Sequence, residues 1–368
     1  MAAPNATVVL SGGAPNGTLT AGALCGIYES GKTFNTFYTS GAGAVFGLVN
    51  VGGVKPPDAA LRDTVNAGID DTIYQYFPLG YKTFYKSGPF TVPFMKFASN
   101  FKLPEPPGRG DDLRRFYNDM VDLWTVALTP TFISPNSQAL CAPYPFVDEF
   151  VDFEKVKAFK GRIYANSYCI ETARMHEFGK HQLNAAHFHA ALAFPFIYPP
   201  AQIGQHFYYE GSAFDPLNLP GLWERVNSGE IPNERHTIVL IDILGAFEKA
   251  LIRRPRNLLD AYGISILAPV VALARAKREL FELETGVKLL TLSFDIDPTL
   301  YPTMTDWSFS NLSQMFEIGR KAGKEFVEQH GNKLPDREPD SADPVERTPR
   351  RRGSHRSADE DEADPEGN

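Results

Sequence analysis

Residues 7–47 constrain the fold more than any other part of the chain. Thr7 to Leu10 is a short β-branched and apolar run, and Ser11-Gly12-Gly13 follows at once. Leu19, Ala23, Ile27 and Tyr28 then recur at helical spacing until Gly31 ends the pattern. Phe34 to Tyr38 reads as a second strand, after which Gly41, Gly43 and Gly47 open another apolar helix. Each strand passes directly into a helix. Parallel neighbours need such a crossover, so the β-loop-α-β-turn-α order predicts a parallel sheet covered by helices.

The remaining chain extends that scheme. Arg162 to Ser167, Phe207 to Tyr209, Thr237 to Leu244 and Val287 to Phe294 read as strands. Asp111 to Leu128, Gln182 to Leu192, Pro255 to Leu283 (with a break expected at Pro269) and Ser310 to His330 read as helices. Residues 73–107 are crowded with aromatics and prolines and show no clear helical period. They are expected to form a cap whose rings pack on the core, or one that faces lipid. From Leu334 onward almost no apolar residue remains, so 334–368 is expected to stay disordered.

Charge and cysteines narrow the function classes. The net charge is −8 over 368 residues, but the last 35 hold eleven acids and six arginines, which leaves the body near neutral. A near-neutral body lacks the basic face that nucleic acid requires. Cys25, Cys141 and Cys169 are too few for a disulfide framework, which points to a reducing, cytoplasmic setting. No run reaches the roughly 18 apolar residues of a membrane helix. His187 and His189 are two apart and so on different helix faces, which disfavours a metal site; neither metal nor cofactor is expected.

Residues 8–47 read VVLSGGAPNGTLTAGALCGIYESGKTFNTFYTSGAGAVFG. This stretch resembles the opening of the patatin-like phospholipase family, in which a strand leads to a glycine-rich loop and a second strand ends in G-x-S-x-G. HAALAFPFIYPPAQIGQHFYYEGSAFDP is similar to the family segment that ends in D-G-G or D-G-A. The match covers most of residues 7–330 in order, and the resemblance implies one domain over 5–333. It implies a three-layer α/β/α fold with a mostly parallel sheet and a lipid or acyl-ester ligand. It leaves room for one-sided contact with a membrane or lipid body. Oligomeric state is not readable.

The family's catalytic Ser-Asp dyad falls on altered positions. Aligned without gaps, the elbow is Thr39-Ser40-Gly41-Ala42-Gly43, so the nucleophile position carries Gly41 and the first glycine is Thr39. The Asp falls on Glu210, in Glu210-Gly211-Ser212. The oxyanion loop keeps Gly12, Gly13 and Gly17, with Ala14 in a glycine place. Glycine offers nothing to attack with, which implies lost or impaired chemistry. The alternative is an active serine acyl-ester hydrolase using Ser40, with Glu210 or Asp215 as base. An unrelated phosphate loop is a third reading, but GGAPNG lacks the Lys-Ser/Thr of a Walker loop.

Overall fold

In the computed structural model, β1 (Asn5–Leu10) and β2 (Thr36–Ser40) pair in parallel, with Val8 opposite Phe37 and Leu10 opposite Thr39. The described residues are 4–13, 17–88, 90–104, 112–130, 136–142, 147–251, 254–255, 258–296 and 306–337. The crossover between the first two strands is α1 (Thr18–Glu29), and α2 (Ala42–Gly52) leaves the end of β2. Five helices follow that sequence reading had only partly located: α3 (Pro57–Asp63), α4 (Asp71–Tyr76), α5 (Thr91–Ser99), α6 (Asp112–Leu128) and α7 (Val147–Phe150). Short α8 (Phe153–Ala158) then feeds β3 (Arg162–Cys169).

The sheet grows on both sides of that start. β7 (His236–Ile241) pairs in parallel with β1, and β8 (Leu290–Leu292) in parallel with β7. On the other side β3 lies parallel to β2, while β4 (Arg174–Gly179), β5 (Ala201–Ile203) and β6 (His206–Glu210) form an antiparallel margin. Ala6 to Leu10 are buried without alternation, as a central parallel strand covered on both faces must be. α9 (Ala185–Leu192), α10 (Leu219–Asn227), α11 (Ile243–Leu251), α12 (Leu258–Thr285) and α13 (Phe309–His330) complete the layers. This is the expected α/β/α arrangement on a mostly parallel sheet.

The crossing of α1 with α13 is unusually close, and small residues make it so. A β-carbon at Gly22 would run into the Phe316 carbonyl, and one at Gly319 into that of Leu19. Glu29 closes the crossing by pairing with Arg320 and Lys324, each at 2.8 Å. Leu334 is still buried and Asp336 pairs with Lys32 at 2.6 Å, so packing continues past residue 333. Residues 338–368 lie outside the described residues.

Several sequence expectations need correction. α4 and α5 are regular helices inside the aromatic segment; their brevity hid the period. Its rings are divided: Tyr81 and Tyr85 are buried, whereas Tyr76, Phe77, Phe90, Phe97 and Phe101 are more than half exposed. α12 runs through Pro269, because losing one N–H donor does not break a long helix that keeps its other bonds. β7 stops at Ile241, and Ile243 and Leu244 belong to α11. β8 is correspondingly short, since beyond Leu292 the neighbouring strand has already turned away.

Candidate functional site

Two strand ends meet head-on beside β3. β2 occupies one flank of β3 as far as the pair Ser40–Asn166. β4 holds the opposite flank along Tyr164 to Cys169. β6 therefore has to enter on the flank that β2 vacates, and it does so in the antiparallel sense, with Glu210 opposite Ser167. Because Asn166 and Ser167 are consecutive, the last residue of β2 and the last of β6 are brought together. Residues 170 apart in sequence thus share one site.

Gly41 forms the turn between β2 and α2, at φ +56° and ψ −136°. An L-residue rarely tolerates that backbone, and a strained strand-to-helix turn is the geometry that a nucleophile elbow requires. A β-carbon built there would fall onto Glu210 Oε1, and 2.5 Å from Ser212 Oγ. One at Gly12 would lie 2.7 Å from Ser212 Oγ and 3.2 Å from Glu210 Oε1. The carboxyl of Glu210 and the hydroxyl of Ser212 therefore fill the space between the glycine loop and the elbow. Ser212 donates its hydroxyl to Glu210 Oε1. Burial pushes the Glu210 carboxyl up to about 7, against the pull of that hydrogen bond, because an ion is poorly solvated there.

The other expected site residues are placed as follows. Ser40 is 1 % exposed, and its hydroxyl has no hydrogen-bond partner among the described residues. The paired Asn166 is equally buried, and both of its side-chain polar atoms are unpartnered among the described residues. Ser40 thus sits inside the sheet, one residue short of the turn. Asp215 is already engaged: it accepts the Asn218 N–H at 2.9 Å and pairs with Lys277 at 3.3 Å. Thr39 donates to the Tyr164 carbonyl at 2.9 Å, where the family pattern has a glycine. Gly43 lets α2 start against the end of β1, since a β-carbon would meet the carbonyls of Leu10 and Ser11. Gly12 borders the site, Gly13 faces Ile243, and Gly17 precedes α1 with the Phe46 ring against it. Ala14 lies outside the described residues.

The remaining polar candidates are scattered. His187 Nδ1 lies 2.8 Å from Asn184 Oδ1 and its ring stacks edge-on with Phe178. His189 lines a separate cavity of about 230 Å³ with Tyr198 and Gln202. Cys169, Glu171 and His206 bring ligand-type atoms within 4.8 Å of one another. Glu171 is already engaged there, accepting the Phe207 N–H at 3.1 Å. Asp242 accepts the Gly245 N–H at 2.8 Å and pairs with Arg278 at 3.2 Å.

Ser212 is the residue that sequence reasoning passed over. Its signal was present: the third position of the second motif carries a hydroxyl where the resemblance leads one to expect glycine or alanine. A second feature lies away from the elbow. α5 and α6 frame an open apolar groove of about 420 Å³, lined by Phe94, Phe97, Phe101, Tyr117, Trp124 and Leu128. No helix among the described residues is long and apolar enough to cross a membrane.

A family model described as patatin-like phospholipase matches residues 8–223, more than half of the chain. No curated protein matches. Among solved structures, VipD from Legionella pneumophila is similar at 11 % identity and a TM-score of 0.37, over 89 % of this chain and 67 % of that one.

Proposed function

Because this chain belongs to the patatin-like phospholipase family, we propose that it binds a lipid acyl ester at the crevice beside Gly12 and Gly41, without the family's elbow nucleophile. Gly12 and Gly41 follow the carboxyl ends of β1 and β2, the edge at which ligands settle in open parallel sheets. One observation carries the loss of elbow chemistry. The volume of a side chain at position 41 is taken by Glu210 and Ser212, so the glycine is accommodated by its surroundings. Ser40 does not replace it, since it pairs with Asn166 within the sheet, one residue short of the turn, and its hydroxyl has no hydrogen-bonded base among the described residues.

The groove between α5 and α6 supports one-sided lipid contact. Phe97, Phe101 and Trp124 are each more than half exposed, and Lys96 and Lys102 lie on the same segments. Aromatic rings with flanking lysines suit the boundary between water and hydrocarbon.

The test combines binding with turnover. Purified protein is titrated with phosphatidylcholine vesicles and with a fluorescent acyl ester, and hydrolysis of a short-chain nitrophenyl ester is followed. Binding is expected, with turnover lower than that of an intact dyad by about 10³-fold or more. Ser40→Ala is expected to change neither quantity. Absence of lipid binding, or fast turnover abolished by Ser40→Ala, overturns the reading.

A further inference from the structure

We propose that Ser212 acts as a relocated nucleophile with Glu210 as its base, so that acyl transfer at this site proceeds from β6 and not from the elbow. The proposal rests on the reading that an acyl ester binds beside Gly12 and Gly41, and it names the reacting group.

Three observations meet at one point. Ser212 Oγ is hydrogen-bonded to Glu210 Oε1, which is the pairing of hydroxyl and general base that activates a serine. That same oxygen lies 2.5 Å from the place a β-carbon at Gly41 would take, so it stands at the root of the missing elbow side chain. It also lies 2.7 Å from the β-carbon direction of Gly12, beside the backbone of the glycine loop. Backbone N–H groups of such a loop are the donors that stabilise a developing oxyanion. The elbow has lost its hydroxyl, yet a hydroxyl, a carboxyl and a glycine loop remain within one small volume.

The local backbone explains how Ser212 gets there. β6 ends at Glu210, and Gly211–Ala213 forms a single tight turn that swings Ser212 back over the strand end. A β-carbon at Gly211 would press on the Asn166 carbonyl at 3.0 Å, so glycine at that position lets the turn sit flat on β3. Glu210 is buried, and its carboxyl is held near neutral pH by that burial, the range in which a base both accepts and returns a proton.

The step balances without a co-reactant other than water. Ser212 Oγ attacks the ester carbonyl carbon and its proton passes to Glu210. The Oγ–C bond forms, the C–O bond to the alcohol breaks, and Glu210 returns the proton to the departing alkoxide. Water then attacks the acyl-serine carbonyl, Glu210 takes the water's proton, and Ser212 Oγ leaves carrying that proton.

The experiment uses the full chain and a short-alkyl fluorophosphonate, which loses fluoride as the Oγ–P bond forms. Tryptic mapping by mass spectrometry is expected to find the adduct on Ser212 in the unmutated protein. Ser212→Ala is expected to remove it, and Ser40→Ala to leave it in place. The labelling rate is expected to rise with pH and level off above about 7. Glu210→Gln is expected to flatten that profile and slow labelling by about 10²–10⁴-fold. Site mapping on the unmutated chain keeps the test decisive even if a variant fails to fold. Lipid binding with no adduct on Ser212 overturns the relocated dyad and leaves the binding reading intact. An adduct that persists in Ser212→Ala overturns it as well.

Discussion

Placing a serine back at the elbow is expected to damage this protein unless Glu210 is shortened at the same time. In Gly41→Ser the new β-carbon meets two obstacles: Glu210 Oε1, and Ser212 Oγ at 2.5 Å. The backbone there is at φ +56°, which costs a non-glycine residue about 1–3 kcal/mol. Overpacking of a filled site adds about 1–3 kcal/mol. A loss of about 4 kcal/mol is the central expectation. At about 2 °C per kcal/mol for a body of this size, Tm falls by about 8 °C. Glu210→Asp withdraws the carboxyl by one methylene, about 1.5 Å, and relieves the first obstacle. The double variant Gly41→Ser/Glu210→Asp is therefore expected to regain about 1–2 kcal/mol beyond additivity. The assay is thermal melting of wild type, both single variants and the double variant as a cycle. The double variant also recreates the Ser and Asp that the family pattern carries, so it is expected to take fluorophosphonate at position 41. If Gly41→Ser melts within about 1 °C of wild type and the cycle shows no coupling, the site is not filled as described and the reasoning fails.

Glu210 and His236 are expected to pull the pH dependence of stability in opposite directions. The Glu210 carboxyl rises from 4.5 to about 7 on folding, so the native state holds an extra proton between those values and stability falls as pH climbs through them. The partly buried His236 ring falls from 6.5 to about 4, so the unfolded state holds the extra proton and stability rises over that window. Each amounts to about 3 kcal/mol at full effect, and melts from pH 4 to 8 should show Glu210→Gln unmasking the rising limb and His236→Gln the falling one. At the helix crossing, Gly22→Ala drives a methyl into the Phe316 carbonyl and should cost about 1–3 kcal/mol by urea titration; an unchanged midpoint refutes the close contact. Phe97→Ser with Trp124→Ser should weaken vesicle co-sedimentation severalfold while Tm stays within about 2 °C, because both rings are largely exposed. Equal sedimentation would remove the groove from the lipid-binding surface.

Local chemistry made the first half of the fold legible. A β-branched run, a glycine turn and a helical period need only neighbours a few residues away, so β1, α1 and β2 could be read to within two residues of their observed ends, and the start of α2 likewise. The same locality exposed the departures from the family pattern, since Gly41 and Glu210 are visible as letters in two motifs. Short elements escaped, because α4 and α5 complete too few turns to show a period. The course of α12 through Pro269 was decided by the surrounding helix and not by the proline. The identity of the site's third member was beyond local reading. Ser212 matters only because β6 runs against β3 on the flank that β2 leaves free, which brings position 210 to position 41. That meeting depends on strand direction and register between distant segments. The sequence alone determined that position 41 carries no side chain; the packed sheet decided which side chains occupy the space beside it.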